Sequence, residues 1–219
     1  MSETLEIARK NMVINQLRPN KINEENILTI FEKTPKENYL DVSLGKNCYL
    51  DKNLDITDNR GYLKNLHLAQ IIKYSEISTN DKVLHIGGLT GYFSVLMSYL
   101  CKELLVVEQN KELFKLLEQN IKNIDTKNIN LFNNNLLDGL NDNAPFNLII
   151  IDGPIFKICD NLKQQLVTKG GRLIYIKKIY DNLGKAYKIV RNEDLYSSEY
   201  LFDVMSTYQI QDKQEDFKF

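Results

Sequence analysis

The residues best placed for ligand chemistry lie in one glycine-rich stretch, Lys82–Gly91, with the sequence KVLHIGGLTG. It begins with the apolar run Val83–Ile86, turns at Gly87-Gly88 and ends at Gly91. An apolar segment, Tyr92–Leu100, follows and is predicted to form a helix. A strand, a glycine turn and a helix in this order direct backbone N–H groups and a helix N-terminus towards a nucleotide-like ligand.

A carboxylate ends the next apolar run. Glu108 follows the predicted strand Leu104–Val107 and lies 21 residues after Gly87, since 108 − 87 = 21. A separation of about 20 residues is typical of a carboxylate that accepts the two hydroxyls of a ribose. The simpler alternative is a solvated residue at a strand end, and the spacing favours ribose binding.

Polar residues also follow two later predicted strands, as Asn133-Asn134-Asn135 and as Asp152-Gly153-Pro154. Each has a simpler interpretation, because asparagines favour turns and Asp152 could cap the following segment. The carboxyl ends of parallel strands meet at one edge of a sheet, where open α/β folds bind their ligands. Together with Gly87 and Glu108, these residues therefore indicate a binding site on one rim.

The elements that must position this rim alternate between strand and helix from residue 82 onwards. Apolar strands alternate with the predicted helices Lys111–Ile124 and Ile158–Thr168, which predicts a parallel, doubly wound α/β sheet. Two further runs, Ala186–Val190 and Tyr200–Ser206, predict an antiparallel end of the sheet.

The region before the sheet is predicted to be mostly helical. A first helix is expected to end at Arg18-Pro19, because proline disfavours helix in the residue before it. A second helix is predicted over Ile22–Phe31, followed by a loop over residues 41–61 and a helix over Tyr62–Tyr74. We expect one domain, 1–219, with a helical, substrate-side region (1–78) and a cofactor-binding α/β core (79–219).

The composition of the chain shows which kinds of partner, cellular location and metal site to expect. The chain has 219 residues and a formal net charge of −1, which gives no indication of a nucleic-acid or membrane partner. Three widely spaced cysteines favour free thiols and a cytoplasmic location. The two histidines, His67 and His85, are not grouped with cysteines at metal-ligand spacing, so no metal site is expected.

The identity of the ligand depends on Leu89, which occupies the position where a glycine loop often has its middle glycine. A dinucleotide brings its pyrophosphate close to the backbone there, and a leucine side chain obstructs that approach. S-adenosylmethionine has no pyrophosphate, so the loop and the antiparallel end of the sheet favour methyl transfer over hydride transfer. This preference depends on analogy between folds.

Several segments resemble protein-L-isoaspartate O-methyltransferase over nearly the whole chain, most specifically the N-terminal pattern NMV-x-x-QLR. The others are TPKENYLD, YLDKNLDI, LHIGGLTGYFSVL, FNLIIIDG, LVTKGGRLIYI and the ending DFKF. The resemblance is strongest to shorter, divergent alphaproteobacterial members.

The resemblance implies a class I S-adenosylmethionine-dependent methyltransferase fold. It also implies an activity, which is methylation of the free carboxylate of isoaspartyl residues in damaged proteins. It implies that Gly87 and Gly91 approach the methionine part of the cofactor, that Glu108 holds the ribose and that Asn134 lies near the adenine. With the loop residues Gly88 and Thr90 and the rim residue Asp152, the predicted cofactor-binding residues are Gly87, Gly88, Thr90, Gly91, Glu108, Asn134 and Asp152. It does not identify a catalytic residue, and the oligomeric state stays open.

Departures from the family pattern leave two alternatives open. Leu63 stands where the family has a serine that places the substrate carboxylate, and His85 stands where an acidic residue is common. Arg60 and Lys64 could attract a carboxylate, although a solvated surface position is the simpler expectation for each. A methyltransferase with a different acceptor and a non-catalytic descendant that kept the fold are the alternatives.

Overall fold

The computed structural model describes residues 2–122 and 124–210. The strands are β1 Leu54–Asp55, β2 Gly61–Tyr62, β3 Lys82–Ile86, β4 Glu103–Val107, β5 Ile129–Phe132, β6 Leu148–Ile155, β7 Lys169–Tyr180, β8 Leu183–Asn192 and β9 Leu195–Met205. The α-helices are α1 Ser2–Met12, α2 Glu25–Lys33, α3 Val42–Gly45, α4 Asn65–Ser75, α5 Tyr92–Ser98, α6 Lys111–Lys122 and α7 Asp160–Gln164.

Seven strands form the central sheet in the spatial order β5-β4-β3-β6-β7-β8-β9. The first five of these are parallel, with Leu84 of β3 paired to Leu105 of β4 and to Ile149 of β6. Strands covered on both faces by other elements become continuous apolar runs, as residues 104–107 of β4 and residues 148–151 of β6 do. The order reverses between β3 and β6, so the crevice beyond their carboxyl ends is the position where this fold class binds ligands.

The predicted antiparallel end of the sheet is confirmed. β7, β8 and β9 form an antiparallel series in which β8 pairs with both neighbours. The strands extend beyond the predicted runs, because β8 and β9 continue to a tight connection at Glu193, which has a left-handed φ of 59°.

The predicted helix Ile158–Thr168 is much shorter in the structure, where α7 covers only Asp160–Gln164. The chain beyond it pairs with the segment that leads into β6. Phe146 donates its N–H to the carbonyl of Gln165 at 2.8 Å and accepts from the N–H of Val167 at 2.8 Å. This strand-like pairing competes with helical hydrogen bonds and ends the helix.

The helical run at the N-terminus ends close to Arg18-Pro19, as predicted, although α1 itself ends at Met12. A π-helical segment over Val13–Leu17 and a 3₁₀ turn over Arg18–Asn20 follow α1 directly. Pro19 lies in the first positions of that turn, where its missing N–H would have no intrahelical partner. The chain turns only at Lys21, which has a φ of 65°.

Two predicted elements begin later than expected. α2 starts at Glu25, and the helix predicted from Tyr62 starts at Asn65, because Tyr62 belongs to β2 and pairs with Leu54. The predicted loop over residues 41–61 contains the short helix α3 and the hairpin β1–β2.

The N-terminal helices and one face of the sheet share a hydrophobic core. Met12, Leu17 and Phe31 belong to the same buried cluster as Val83 and Tyr92. Helix α5 begins in this core, so the N-terminal region packs directly beside the glycine loop. Within residues 2–122 and 124–210, no helix combines the length and apolar character that a membrane crossing requires.

Candidate active site

The glycine loop is fixed to the neighbouring strand. The N–H groups of Gly87 and Gly88 donate to the carbonyl of Val107 at 3.0 and 3.3 Å. Gly87 and Gly91 have φ values of 101° and 103°, which L-residues with side chains rarely adopt. The loop therefore turns sharply at the carboxyl ends of β3 and β4, as the sequence predicted.

Gly87 faces the crevice. A Cβ atom at this position would lie 3.0 Å from Oδ1 of Asp152, 3.2 Å from Ile210 and 3.4 Å from a guanidinium nitrogen of Arg60. The space above Gly87 is thus enclosed by side chains from three distant parts of the chain.

Gly88 and Gly91 instead face helix α6. A Cβ at Gly88 would lie 2.7 Å from Val106 and 2.9 Å from Leu117, and one at Gly91 would lie 3.0 Å from Leu117. Both glycines allow the loop to pack closely on its neighbours. A direct ligand contact for them stays a prediction from the resemblance.

Leu89 occupies the middle-glycine position and keeps a glycine-like backbone, with a φ of 49°. Its side chain is buried. A left-handed conformation costs a residue with a side chain about 1–2 kcal/mol. Its N–H donates to Oε2 of Glu108 at 3.0 Å. This contact connects the loop directly to the predicted ribose carboxylate.

Glu108 is completely buried at the end of β4. Its Oε1 accepts from the backbone N–H of Asn110 at 2.9 Å, and its Oε2 accepts from Leu89. Arg60 donates to both oxygens, from Nη1 to Oε1 at 2.7 Å and from Nη2 to Oε2 at 2.8 Å. Each oxygen therefore has two partners within the protein.

The side chain of Arg60 does not lie at the solvated surface position that the sequence predicts. It is 12% exposed and lies over Glu108. The two residues are 48 positions apart, and only the folding of the hairpin β1–β2 over β4 brings them together. Lys64 lies outside this pair and forms a bridge with Asp51 at 3.2 Å.

The space at the centre of the site is very small. A cavity of about 10 Å³ is lined by Arg60, Gly61, Leu89, Asp152, Gly153, Tyr208, Gln209 and Ile210. Such a volume holds at most one water molecule. The carboxylates suit a ribose and a cationic ligand, but the crevice in this conformation does not have room for S-adenosylmethionine.

Asp152 and His85 form a buried polar chain beneath the cavity. His85 Nε2 lies 3.4 Å from Oδ2 of Asp152, and its Nδ1 shares a hydrogen bond of 2.8 Å with Oγ of Ser94. The His85 ring also contacts Phe93 edge to face. His85 thus lies between helix α5 and the carboxylate that borders the crevice.

Thr90 is turned towards Tyr62. Its Oγ1 lies 2.9 Å from the Tyr62 hydroxyl oxygen, and that oxygen also accepts from the N–H groups of Thr90 at 3.2 Å and Tyr92 at 3.1 Å. Tyr92 is the first residue of α5 and Thr90 lies just before the N-cap Gly91, so neither N–H has an intrahelical acceptor. Tyr62 therefore caps α5 from the hairpin.

We expect Tyr62→Phe to lower the free energy of unfolding by about 2–4 kcal/mol, because two buried N–H groups lose their acceptor. Chemical denaturation measures this loss, and amide exchange at Thr90 and Tyr92 should accelerate. Tyr99→Phe, at a half-exposed position, serves as the control. A loss below about 0.5 kcal/mol for Tyr62→Phe would contradict the capping role.

The asparagines after β5 have different roles. Nδ2 of Asn133 donates to the carbonyl of Glu108 at 2.7 Å, and Oδ1 of Asn135 accepts from the N–H of Leu137 at 3.0 Å. Asn134 is exposed beside them. Its predicted contact with the adenine stays a prediction.

Leu63, at the position of the family serine, is 1% exposed and belongs to the hydrophobic core. It cannot reach a substrate in this conformation. The nearest cation that borders the crevice is Arg60, three residues earlier.

A second, open groove of about 390 Å³ lies beside Thr90. The N-terminal region contributes Tyr39 and Leu44, and helix α6 contributes Leu113 and Leu116. This groove is wide enough for a peptide side chain. Within the described ranges, no group of three or more histidine, cysteine or acidic side chains could hold a metal ion.

The sheet order and the loop at its switch point define a class I methyltransferase fold. A solved structure described as a protein-L-isoaspartate O-methyltransferase superposes with a TM-score of 0.79 and 18% identity, covering 92% of this chain. The chain spans 65% of that solved chain's length. At this identity the likeness establishes the fold.

The family model for protein-L-isoaspartate(D-aspartate) O-methyltransferase matches residues 8–205, so the chain belongs to this family. The enzymes of this family use S-adenosylmethionine as their methyl donor. A relative from Shewanella woodyi, described as protein-L-isoaspartate O-methyltransferase, is 28% identical over 91% of this chain and 92% of its own length. One of the same description from Koribacter versatilis is 27% identical over 77% and 75%.

Proposed function

We propose that this chain transfers a methyl group from S-adenosylmethionine to the free carboxylate of isoaspartyl residues in damaged proteins. One observation carries the proposal: a buried carboxylate, Glu108, adjoins the Gly87 turn at the switch point of a sheet whose sequence belongs to this family. Free thiols at Cys48, Cys101 and Cys159 support a cytoplasmic location.

We assign each part of the rim a role in this reaction. Glu108 would hold the ribose, Gly87 would allow close approach of the methionine portion, and Asp152 would face its positive charges. The remaining proposed contacts are Gly88, Thr90, Gly91 and Asn134. When bound, the cofactor supplies an electrophilic methyl group on a sulfonium centre.

The acceptor needs orientation more than activation. A carboxyl group with an ordinary pKa near 4 is already ionised at neutral pH, so a general base is not required. Alignment of the carboxylate oxygen with the methyl group supplies most of the catalysis. In this proposal residues 1–78 bind the acceptor, residues 79–219 bind the cofactor, and the two regions form one domain.

We expect the purified protein to methylate a peptide that contains one isoaspartyl residue. The matched control is the same peptide with an ordinary aspartyl residue, which should receive no label. Methyl esters are base-labile, so release of labelled methanol at high pH identifies the product. Equal labelling of both peptides, or no base-labile label on either, would overturn this function.

A methyltransferase with another acceptor is the second candidate, because Leu63 is buried where the family has its substrate-placing serine. A broader screen of carboxylate and amine acceptors separates the two. Labelling confined to isoaspartyl peptides would remove the second candidate.

A further inference from the structure

Arg60 makes the contact with Glu108 that a ribose would make. The guanidinium donates two N–H groups, at 2.7 and 2.8 Å, one to each carboxylate oxygen. The two hydroxyls of a ribose present two O–H donors to a carboxylate in the same way. A ribose and Arg60 therefore compete for the same two oxygens.

The hairpin that carries Arg60 is held by contacts that do not involve the Arg60 side chain. β1 and β2 contain two residues each. Contacts to the C-terminal segment hold the hairpin: Gln209 donates its N–H to the carbonyl of Asn59 at 3.0 Å, and Tyr208 Oη donates to Asp55 at 2.6 Å. Release of the Arg60 side chain breaks neither of these two contacts.

The charges around the crevice give the released guanidinium a second role. Asp152 borders the crevice, and Glu108 lies directly beneath Arg60. Among the described residues that line the small cavity, Arg60 is the only cation. Once a ribose occupies Glu108 and the cofactor faces Asp152, the released guanidinium is left as a cation that can pair with the acceptor carboxylate. Arg60 forms bidentate pairs with carboxylates, and buried Leu63 cannot form a hydrogen bond at all.

We propose that Arg60 exchanges partners during the reaction: it holds Glu108 while the crevice is closed, and it binds the acceptor carboxylate once a ribose has taken Glu108. This inference rests on the proposed function. It makes Arg60 an acceptor-binding residue and requires the cofactor to bind before the acceptor.

The first test is calorimetric titration with S-adenosylhomocysteine, the demethylated cofactor. Arg60→Gln should bind it about tenfold more tightly than the wild type, because the ribose no longer competes with a guanidinium. Arg60→Lys keeps the positive charge but not the two parallel N–H donors of a guanidinium, so its affinity should lie between those of the wild type and Arg60→Gln. Arg18→Gln, which removes a similar arginine–glutamate pair on the surface, should leave the affinity unchanged.

The second test measures kinetics with the isoaspartyl peptide. Arg60→Gln should raise the peptide KM about tenfold or more, without a comparable fall in kcat at saturating peptide. Arg60→Lys should recover part of the KM. Thermal unfolding of each variant shows whether it is folded at the assay temperature.

Affinity for S-adenosylhomocysteine that stays the same or weakens in Arg60→Gln would overturn the proposal, and so would an unchanged peptide KM. Absence of binding by the wild type and by Arg60→Gln alike would mean that Glu108 does not bind a ribose even without a competing guanidinium, and would overturn both the exchange and the proposed function. Tighter binding in Arg60→Gln without any peptide methylation by the wild type would refute the isoaspartyl function and the acceptor-binding role of Arg60, while the competition between Arg60 and a ribose for Glu108 would stand.

Discussion

Glu108→Gln is expected to lower the free energy of unfolding by about 3–5 kcal/mol, because it leaves the Arg60 guanidinium partly buried without its anion. It also removes the charge that accepts the N–H groups of Leu89 and Asn110. Chemical denaturation measures the loss of stability. The same variant should lose detectable binding of S-adenosylhomocysteine, since the ribose loses its carboxylate.

The double variant Arg60→Gln/Glu108→Gln separates the cost of leaving Arg60 unpaired from the other effects of replacing Glu108. It should be more stable than Glu108→Gln alone, because no charge is left unpaired. Glu25→Gln breaks an exposed pair with Arg18 and should cost about 1 kcal/mol or less. A Glu108→Gln protein as stable as Glu25→Gln would show that Arg60 does not form this ion pair.

A buried lysine should make the free energy of unfolding depend on pH. Lys36 is 1% exposed, and its Nζ donates to Oδ1 of Asn65 at 3.0 Å. Nζ also lies 5.2 Å from the ring centre of Tyr62 and 5.1 Å from that of Tyr92. Burial lowers the pKa of Lys36 to about 8, and the thiol of Cys48 nearby opposes that shift.

The lowered pKa predicts that Lys36 destabilises the fold less as the pH rises. Between its folded pKa of about 8 and its ordinary value of about 10.4, the unfolded chain binds the proton and the folded chain does not. Stability therefore increases with pH across this window, by about 2 kcal/mol from about pH 7.5 to about pH 9.5. Below the window both states are protonated and the slope disappears.

Lys36→Met is the matched control, because methionine fills similar space without a titrating group. The difference in unfolding free energy between the wild type and Lys36→Met should change by this amount across the window. Taking the difference cancels most of the contribution of the buried thiols and tyrosines, whose pKa values burial raises. A constant difference across the window would contradict a deprotonating Lys36.

The rim of the site could be predicted because it depends on local sequence and a general rule of topology. Gly87, Glu108 and Asp152 each follow an apolar run, and parallel strands bring such positions to one edge. The antiparallel end of the sheet was predictable for the same reason, since β8 and β9 contain their own strand patterns. The loop position of Leu89 was also visible from spacing alone.

The closure of the crevice could not be predicted in this way. It depends on Arg60 and on the segment Tyr208–Ile210, which reach Glu108 and Gly153 only through long-range packing. No periodic pattern marks the two-residue strands β1 and β2, so the sequence predicts a helix that starts at Tyr62. The role of Tyr62 as the cap of α5 was hidden by the same error.

The most direct test of the account is a crystal structure of the protein with S-adenosylhomocysteine. We expect the ribose hydroxyls on the two oxygens of Glu108 and the Arg60 guanidinium moved away from them. Ligand bound elsewhere, with Arg60 still donating to both oxygens of Glu108, would contradict the account.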